Sequence, residues 1–459
     1  MSERLSSGNR HLDTVFGGGL PANALNMIIG LPGSGKTILA EQFMFHNASA
    51  PRPGMYLSTV SEPLEKILRY GQQLEFFDAQ AIGTSVFFDD LGDTLNEGGL
   101  DAILARIRAL ITERQPGVIV IDSFKALSAY SAGPQAFRYF LHELAGTLTA
   151  LPTTTFWLGE YGRDELATAP EFAVADGIIS LTTRRQAERA ISHLEVLKLR
   201  GTGFMSGEHA YRIARDGLHV FPRLAESLTA EAYELQPDRM SSGIPAIDEM
   251  LADGYWPGAS TMVAGPSGSG KTLMGLHFIF NGGAADQGGI IATLQENPTQ
   301  LDRIVKGFGW SLDTASVELM YRSPVDLYLD EWFYDLLDVI DRTQARRVFI
   351  DSLGDLRRAA VDELRFREYL YSLLQRCTNQ QISVMMSQEV PALFGISQVS
   401  DDQISHLSDN VVLLQFVHRD TELRRAVTLL KTRASRHDPA VREFKITPEG
   451  IVLDEPAVL

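Results

Sequence analysis

The runs Gly30-Leu31-Pro32-Gly33-Ser34-Gly35-Lys36-Thr37 and Gly265-Pro266-Ser267-Gly268-Ser269-Gly270-Lys271-Thr272 both satisfy the pattern G-x-x-x-x-G-K-[ST]. The pattern names a ligand as well as a turn. Its glycines let the backbone curl until successive N–H groups point at a phosphate. The lysine reaches the terminal phosphates, and the threonine hydroxyl suits Mg²⁺. Gly30, Pro32, Gly33, Ser34, Gly35, Lys36 and Thr37 are thus one candidate triphosphate site. Gly265, Ser267, Gly268, Ser269, Gly270, Lys271 and Thr272 are a second. ATP and Mg²⁺ are the expected ligands.

Phosphoryl chemistry at such loops needs two more groups. One is a metal-holding carboxylate at the end of a buried strand. Asp122 follows Val118-Ile119-Val120-Ile121, Asp351 follows Val348-Phe349-Ile350, and each precedes a serine. Asp-Ser is also a common helix N-cap choice, but the loop upstream favours a metal role for Asp122 with Thr37 and for Asp351 with Thr272. The other group orients or deprotonates the attacking water. The segments Leu294-Gln295-Glu296-Asn297-Pro298 and Val60-Ser61-Glu62-Pro63 each offer a carboxylate, Glu296 and Glu62. Aligned by their prolines, Glu296 falls opposite Ser61, and Glu62 lies one position later. A one-residue slip on a strand turns a side chain to the other face, so the first unit is expected to be the weaker hydrolase.

The elements that would position these groups also come twice. Lys36 and Lys271 stand 235 positions apart, and Ser7-Gly8, Asp13, Gly19 and Pro63 recur at that offset as Ser242-Gly243, Asp248, Gly254 and Pro298. Leu25–Ile29 and Thr261–Ala264 read as short strands entering the loops, and Thr37–His46 and Thr272–Asn281 as helices leaving them. Continuous apolar runs before Asp122 and Asp351 fit strands buried on both faces of a parallel sheet. The expectation is an α/β chain of two tandem domains, each a mainly parallel sheet flanked by helices. The junction is placed near residue 234, giving domains 1–234 and 235–459. The aromatic stretch Leu327–Ile340 reads as an amphipathic helix on the sheet.

Composition narrows the classes further. A net charge of −17 argues against a broad nucleic-acid surface. No apolar run reaches about 18 residues, so no spanning helix is expected. The first residues lack a signal-peptide pattern, and the one cysteine, Cys377, excludes an internal disulfide framework. A cytoplasmic setting is the expectation. No Cys or His cluster has metal-ligand spacing.

The chain resembles the KaiC family of tandem RecA-like ATPases over nearly its full length. The resemblance is carried by both phosphate loops, by Ser241-Ser242-Gly243 and by Leu251-Ala252-Asp253-Gly254. It extends to Leu197-Lys198-Leu199-Arg200-Gly201-Thr202, to Lys431-Thr432-Arg433-Ala434 and to the close at Arg442-Glu443-Phe444-Lys445-Ile446. The resemblance implies a homo-hexamer with each ATP between neighbouring subunits. Lys198, Arg200, Lys431 and Arg433 would then reach the triphosphate of an adjacent copy. It also implies a regulatory or signalling protein partner and coupling of hydrolysis to a conformational change.

Departures from the family matter. Where clock-type members have adjacent glutamates, this chain has Val60-Ser61 and Gln295-Glu296. Gln295 takes the place of the autokinase's general base, and an amide cannot accept that proton. Ser400 and Ser405 resemble the phosphoacceptor segment, with His406 replacing a neighbouring hydroxyl residue. The leading reading is a double-domain ATPase. Alternatives are a residual Ser/Thr autokinase, a scaffold whose first unit holds ATP to assemble the ring, and a RecA-like DNA recombinase or motor.

Overall fold

Apolar strands with no polar face must be covered on both sides, and the two sheets of this chain are built that way. The computed structural model describes residues 3–60, 63–186, 189–224, 238–280, 288–313, 316–325, 327–360, 362–390, 406–419 and 422–454. Two compact units result, Met1–Arg223 and Leu224–Leu459. Position 234, the expected junction, lies outside the described residues.

In the first unit a small pair, β1 (Arg4–Leu5) and β2 (Leu20–Pro21), precedes the main sheet. Its strands are β3 (Leu25–Gly30), β4 (Gly54–Ser58), β5 (Val86–Asp90), β6 (Val118–Asp122) and β7 (Thr154–Gly159). Then follow β8 (Gly177–Gln186), β9 (Arg189–Leu199), β10 (Glu208–Ala214) and β11 (Gly217–Phe221). Their order is β11-β10-β9-β8-β3-β7-β6-β4-β5, parallel from β8 to β5 and antiparallel from β8 to β11.

The second unit repeats the plan with β12 (Ser260–Gly265), β13 (Gly289–Thr293), β14 (Val317–Tyr321), β15 (Arg347–Asp351) and β16 (Ser383–Glu389). It continues through β17 (Asn410–Arg419), β18 (Glu422–Thr432), β19 (Arg442–Thr447) and β20 (Gly450–Leu453). The order β14-β13-β15-β16-β12-β17-β18-β19-β20 matches the first sheet strand for strand. These are two tandem RecA-like α/β domains, as expected from the sequence.

Each sheet separates two apolar layers. In the first unit Leu39, Phe43 and Met44 of the helix Lys36–Asn47 fill one face, and Ile103, Ile107 and Leu144 fill the other. In the second, Leu276 and Ile279 of the helix Lys271–Phe280 cover one face. Trp332 and Phe333 of the helix Leu329–Thr343 cover the other, with Cys377 buried beside them. Duplication reaches the polar clasps too. The amide of Ser7 donates to Asp13 at 2.7 Å, and that of Ser242 to Asp248 at 2.6 Å.

Candidate nucleotide sites

Both phosphate loops sit at the carboxyl end of a central parallel strand, where open α/β sheets bind ligands. Gly33 and Gly35 have φ of 77° and 88°, and Gly268 and Gly270 have 75° and 106°. Left-handed backbone of this kind favours glycine. At Gly33 and Gly268 nothing lies within 4 Å of where a Cβ would stand, which is the open side of each cradle. Ser34 Oγ and Ser269 Oγ are buried and have no protein partner. A buried, unpartnered hydroxyl within a phosphate loop is suited to a phosphate oxygen. Lys36 Nζ donates to the carbonyls of Gly30 and Leu31 at 2.9 and 3.0 Å, and Lys271 Nζ to Pro266 at 2.8 Å. Burial pulls both lysines below the usual range, opposed by Glu160 and Asp122 for Lys36 and by Glu389 and Asp351 for Lys271.

The predicted metal pairs come together. Thr37 Oγ1 donates to Asp122 Oδ2 at 2.9 Å, and Thr272 Oγ1 to Asp351 Oδ2 at 2.7 Å. Among the described residues no group of three or more His, Cys, Asp or Glu is placed to hold a metal. One hydroxyl and one carboxylate suit Mg²⁺, which keeps waters and shares phosphate oxygens. In each unit the peptide bond following the aspartate, Asp122-Ser123 or Asp351-Ser352, is cis.

Sequence reading missed the second support of each aspartate. In the first unit Tyr56 Oη, from β4, donates to Asp122 Oδ2 at 2.6 Å. In the second, Ser387 Oγ, from β16, donates to Asp351 Oδ1. The helper therefore comes from a different strand in each half, and the internal repeat carries no signal for it. Glu41 was also missed. Burial, with the Asp122 charge adding to it, pushes its carboxyl up to about 8. It stands four residues after Thr37, hence on the same helix face, and that spacing was the available clue. Leu276 is its counterpart in the second half.

The turn after β13 carries Gln295 and Glu296 beside the aspartate, because Thr293 pairs with Asp351 and Leu294 N donates to Asp351 O at 2.8 Å. Gln295 Nε2 donates to Asp355 Oδ2 at 2.9 Å and to Ser352 Oγ at 3.2 Å. Glu296 is half-buried, and its amide donates to Thr293 Oγ1 at 3.3 Å. Ser61 and Glu62 lie outside the described residues, as do Ser400 and Ser405.

Lys198, Arg200, Lys431 and Arg433 sit away from the loops of their own units. Lys198 pairs with Ile178, which pairs with Met27, three residues before Gly30. Lys431 pairs with Val411 and so with Met262, three residues before Gly265. Arg200 is lower still, its amide bonded to Asp176 beside the start of β3. At about 3.3 Å per residue it stands roughly 17 Å below Gly30 along the strand direction. A bulge immediately precedes each lysine in the pairing, between Ile178 and Ile179 and between Val411 and Val412. The side chains are held locally. Lys198 Nζ donates to Phe172 O at 3.2 Å and Lys431 Nζ to Ser408 O at 2.6 Å. Arg200 and Arg433 face Asp176 and Asp409 at 3.4 and 3.5 Å.

Two cradled loops, each with a Thr–Asp pair on a RecA-like sheet, define a tandem P-loop nucleotide-binding protein. The family model described as ATPase, KaiC, matches residues 5–225 and 240–458, and the chain belongs to that family. It is a P-loop ATPase. Its relatives include the circadian clock protein KaiC3 of Synechocystis sp., 29% identical over 99% of this chain and 92% of that protein. Another is the circadian clock oscillator protein KaiC of Synechococcus elongatus, 28% identical over 95% of this chain and 86% of its own length. No helix among the described residues is long and apolar enough to cross a membrane.

Proposed function

We infer that this ATPase works as a homo-hexameric ring in the cytoplasm, with ATP and Mg²⁺ between neighbouring copies, and that hydrolysis drives a conformational change read by a regulatory protein. The supporting observation is the position of the basic pairs. Lys198 and Arg200, like Lys431 and Arg433, are too far down their own sheets to serve their own loops. A cation supplied across an interface stabilises the charge developing on the transferred phosphoryl group. Thr37 with Asp122, and Thr272 with Asp351, would hold the Mg²⁺, which supplies charge neutralisation at the phosphates. The turn carrying Gln295 and Glu296 would face the attacking water in the second unit. Glu62 would take that place in the first, less favourably.

One experiment tests this. Full-length protein is incubated with Mg-ATP while phosphate release, intact mass and particle size are followed together. Mg²⁺-dependent release that falls on Lys271→Ala, from a particle of six copies, is the expected result. Unchanged turnover in both Lys36→Ala and Lys271→Ala would falsify it. A gain of one phosphate in mass would instead favour autokinase action at Ser400 or Ser405. Stimulation by DNA would favour a motor, a role the charge of −17 opposes.

A further inference from the structure

Gln295 is held by a network whose hydrogen-bond directions leave its amide one orientation. Ser352 Oγ donates to Asp355 Oδ2 at 2.6 Å, which uses its one hydrogen. Its oxygen can then only accept from Gln295, at 3.2 Å. Asp355 Oδ2 accepts from Gln295 at 2.9 Å, and Arg358 donates to Asp355 Oδ1. Burial works to raise the Asp355 carboxyl, but the hydrogen bonds from Ser352, Gln295 and Arg358 outweigh it and the net shift is downward, so Asp355 is an acceptor. A flipped Gln295 would set its carbonyl against a carboxylate and against a hydroxyl with no hydrogen left to give. The two acceptors stand together on one side, so the amide nitrogen is turned inward toward both. The carbonyl oxygen, with two lone pairs, is the acceptor that the exposed Gln295 has left to offer. Glu296, one residue on, has no hydrogen bond or ion pair to its carboxylate among the described residues.

The first unit lacks the amide, the carboxylate and the guanidinium of this device at the matching positions. Val60, Ser123, Ala126 and Ala129 stand where the second unit has Gln295, Ser352, Asp355 and Arg358.

We propose that Gln295 is the water-orienting residue of the second site, its carbonyl accepting a hydrogen of the attacking water, and that Asp355 is the positioning residue that aims it. This rests on the reading that the second site hydrolyses ATP. No proton is taken by Gln295. The water oxygen forms a bond to the γ-phosphorus, and the bridging P–O bond breaks with its electron pair leaving on ADP. The water's proton passes to an oxygen of the released phosphate. A group of this kind acts by alignment alone, which nucleotide hydrolases are known to exploit.

The test uses the full-length chain at saturating and limiting Mg-ATP, with the turnover left in Lys271→Ala subtracted as that of the first site. Gln295→Ala, at an exposed position, should lower kcat of the second site by at least about tenfold with KM within about twofold. Asp355→Asn should lower kcat in the unsubstituted chain and change it less than about twofold once Gln295 is Ala, because it acts through that residue. Full kcat in Gln295→Ala overturns the proposal. So does an Asp355→Asn effect that persists in the Gln295→Ala chain, or a loss confined to Glu296→Gln. If Lys271→Ala costs no turnover at all, both this proposal and the reading beneath it fail, whereas full kcat in Gln295→Ala alone leaves the ATPase reading standing.

Discussion

The hydroxyl of Tyr211 donates to the carbonyl of Ser34 at 2.6 Å, joining β10 to the crown of the first phosphate loop across 177 positions of sequence. The loop is thus braced from the antiparallel end of its sheet. In the second unit Arg425, on β18, fills a similar office, its Nε donating to Gly268 O at 3.1 Å. Tyr211→Phe removes one neutral hydrogen bond, a change of about 1 kcal/mol. The first site should then bind Mg-ATP roughly fivefold more weakly, measured by titration of a Lys271→Ala chain. Affinity unchanged by the substitution would show that the loop holds its shape without the brace.

If the basic pairs act on a neighbour's nucleotide, two crippled chains should repair each other. Lys271→Ala and Arg433→Ala should each be slow alone. Mixed in equal amounts and allowed to exchange subunits, they should recover about a quarter of second-site turnover, since random assortment pairs an intact loop with an intact arginine at one interface in four. No recovery after proven exchange would place Arg433 in the service of its own subunit.

A third expectation concerns pH. His277 Nε2 accepts the amide of Ile451 at 3.0 Å, and burial pulls the ring down to about 4 despite an opposing backbone hydrogen bond at Gly243. An unfolded histidine takes its proton near 6.5. Between those values the unfolded chain binds the proton and the native one does not. Stability is therefore full above about 6.5 and is lost as pH falls toward 4. At the matching position in the first half, Gln42 Oε1 accepts the amide of Leu218 at 2.9 Å without titrating. Guanidinium unfolding at pH 7.5 and pH 5 should show a loss of roughly 1–2 kcal/mol that His277→Gln reduces by more than half. An equal loss in both chains would assign the acid sensitivity to other groups.

Much of the site could be read directly because its parts are local or repeated. Each phosphate loop is eight consecutive residues, and Asp122 and Asp351 are marked by apolar strands just before them. The parallel core of each sheet followed from those same runs. Other parts depend on pairing that sequence does not display. Tyr56 and Ser387 support equivalent aspartates from non-equivalent strands, so comparing the halves hides them. Asp355 reads as an ordinary first-turn acid until its bonds to Gln295 and Ser352 are seen. The distance of Lys198 and Lys431 from their own loops depends on strand register, including a bulge in each hairpin. Glu62, Ser400 and Ser405 lie outside the described residues.

The register that carries Lys198 and Lys431 also has a mechanical meaning. Only β8 lies between β3, which ends in the first loop, and β9, which bears Lys198 and leads directly to Arg200; β17 separates β12 and β18 in the same way. In a closed ring each sheet would then be a short stiff lever with one nucleotide at its upper end and the neighbour's at its lower end. Tilting it to grip one would alter the grip on the other. Cooperativity around such a ring would need no flexible messenger, only the hydrogen-bonded stiffness of three adjacent strands.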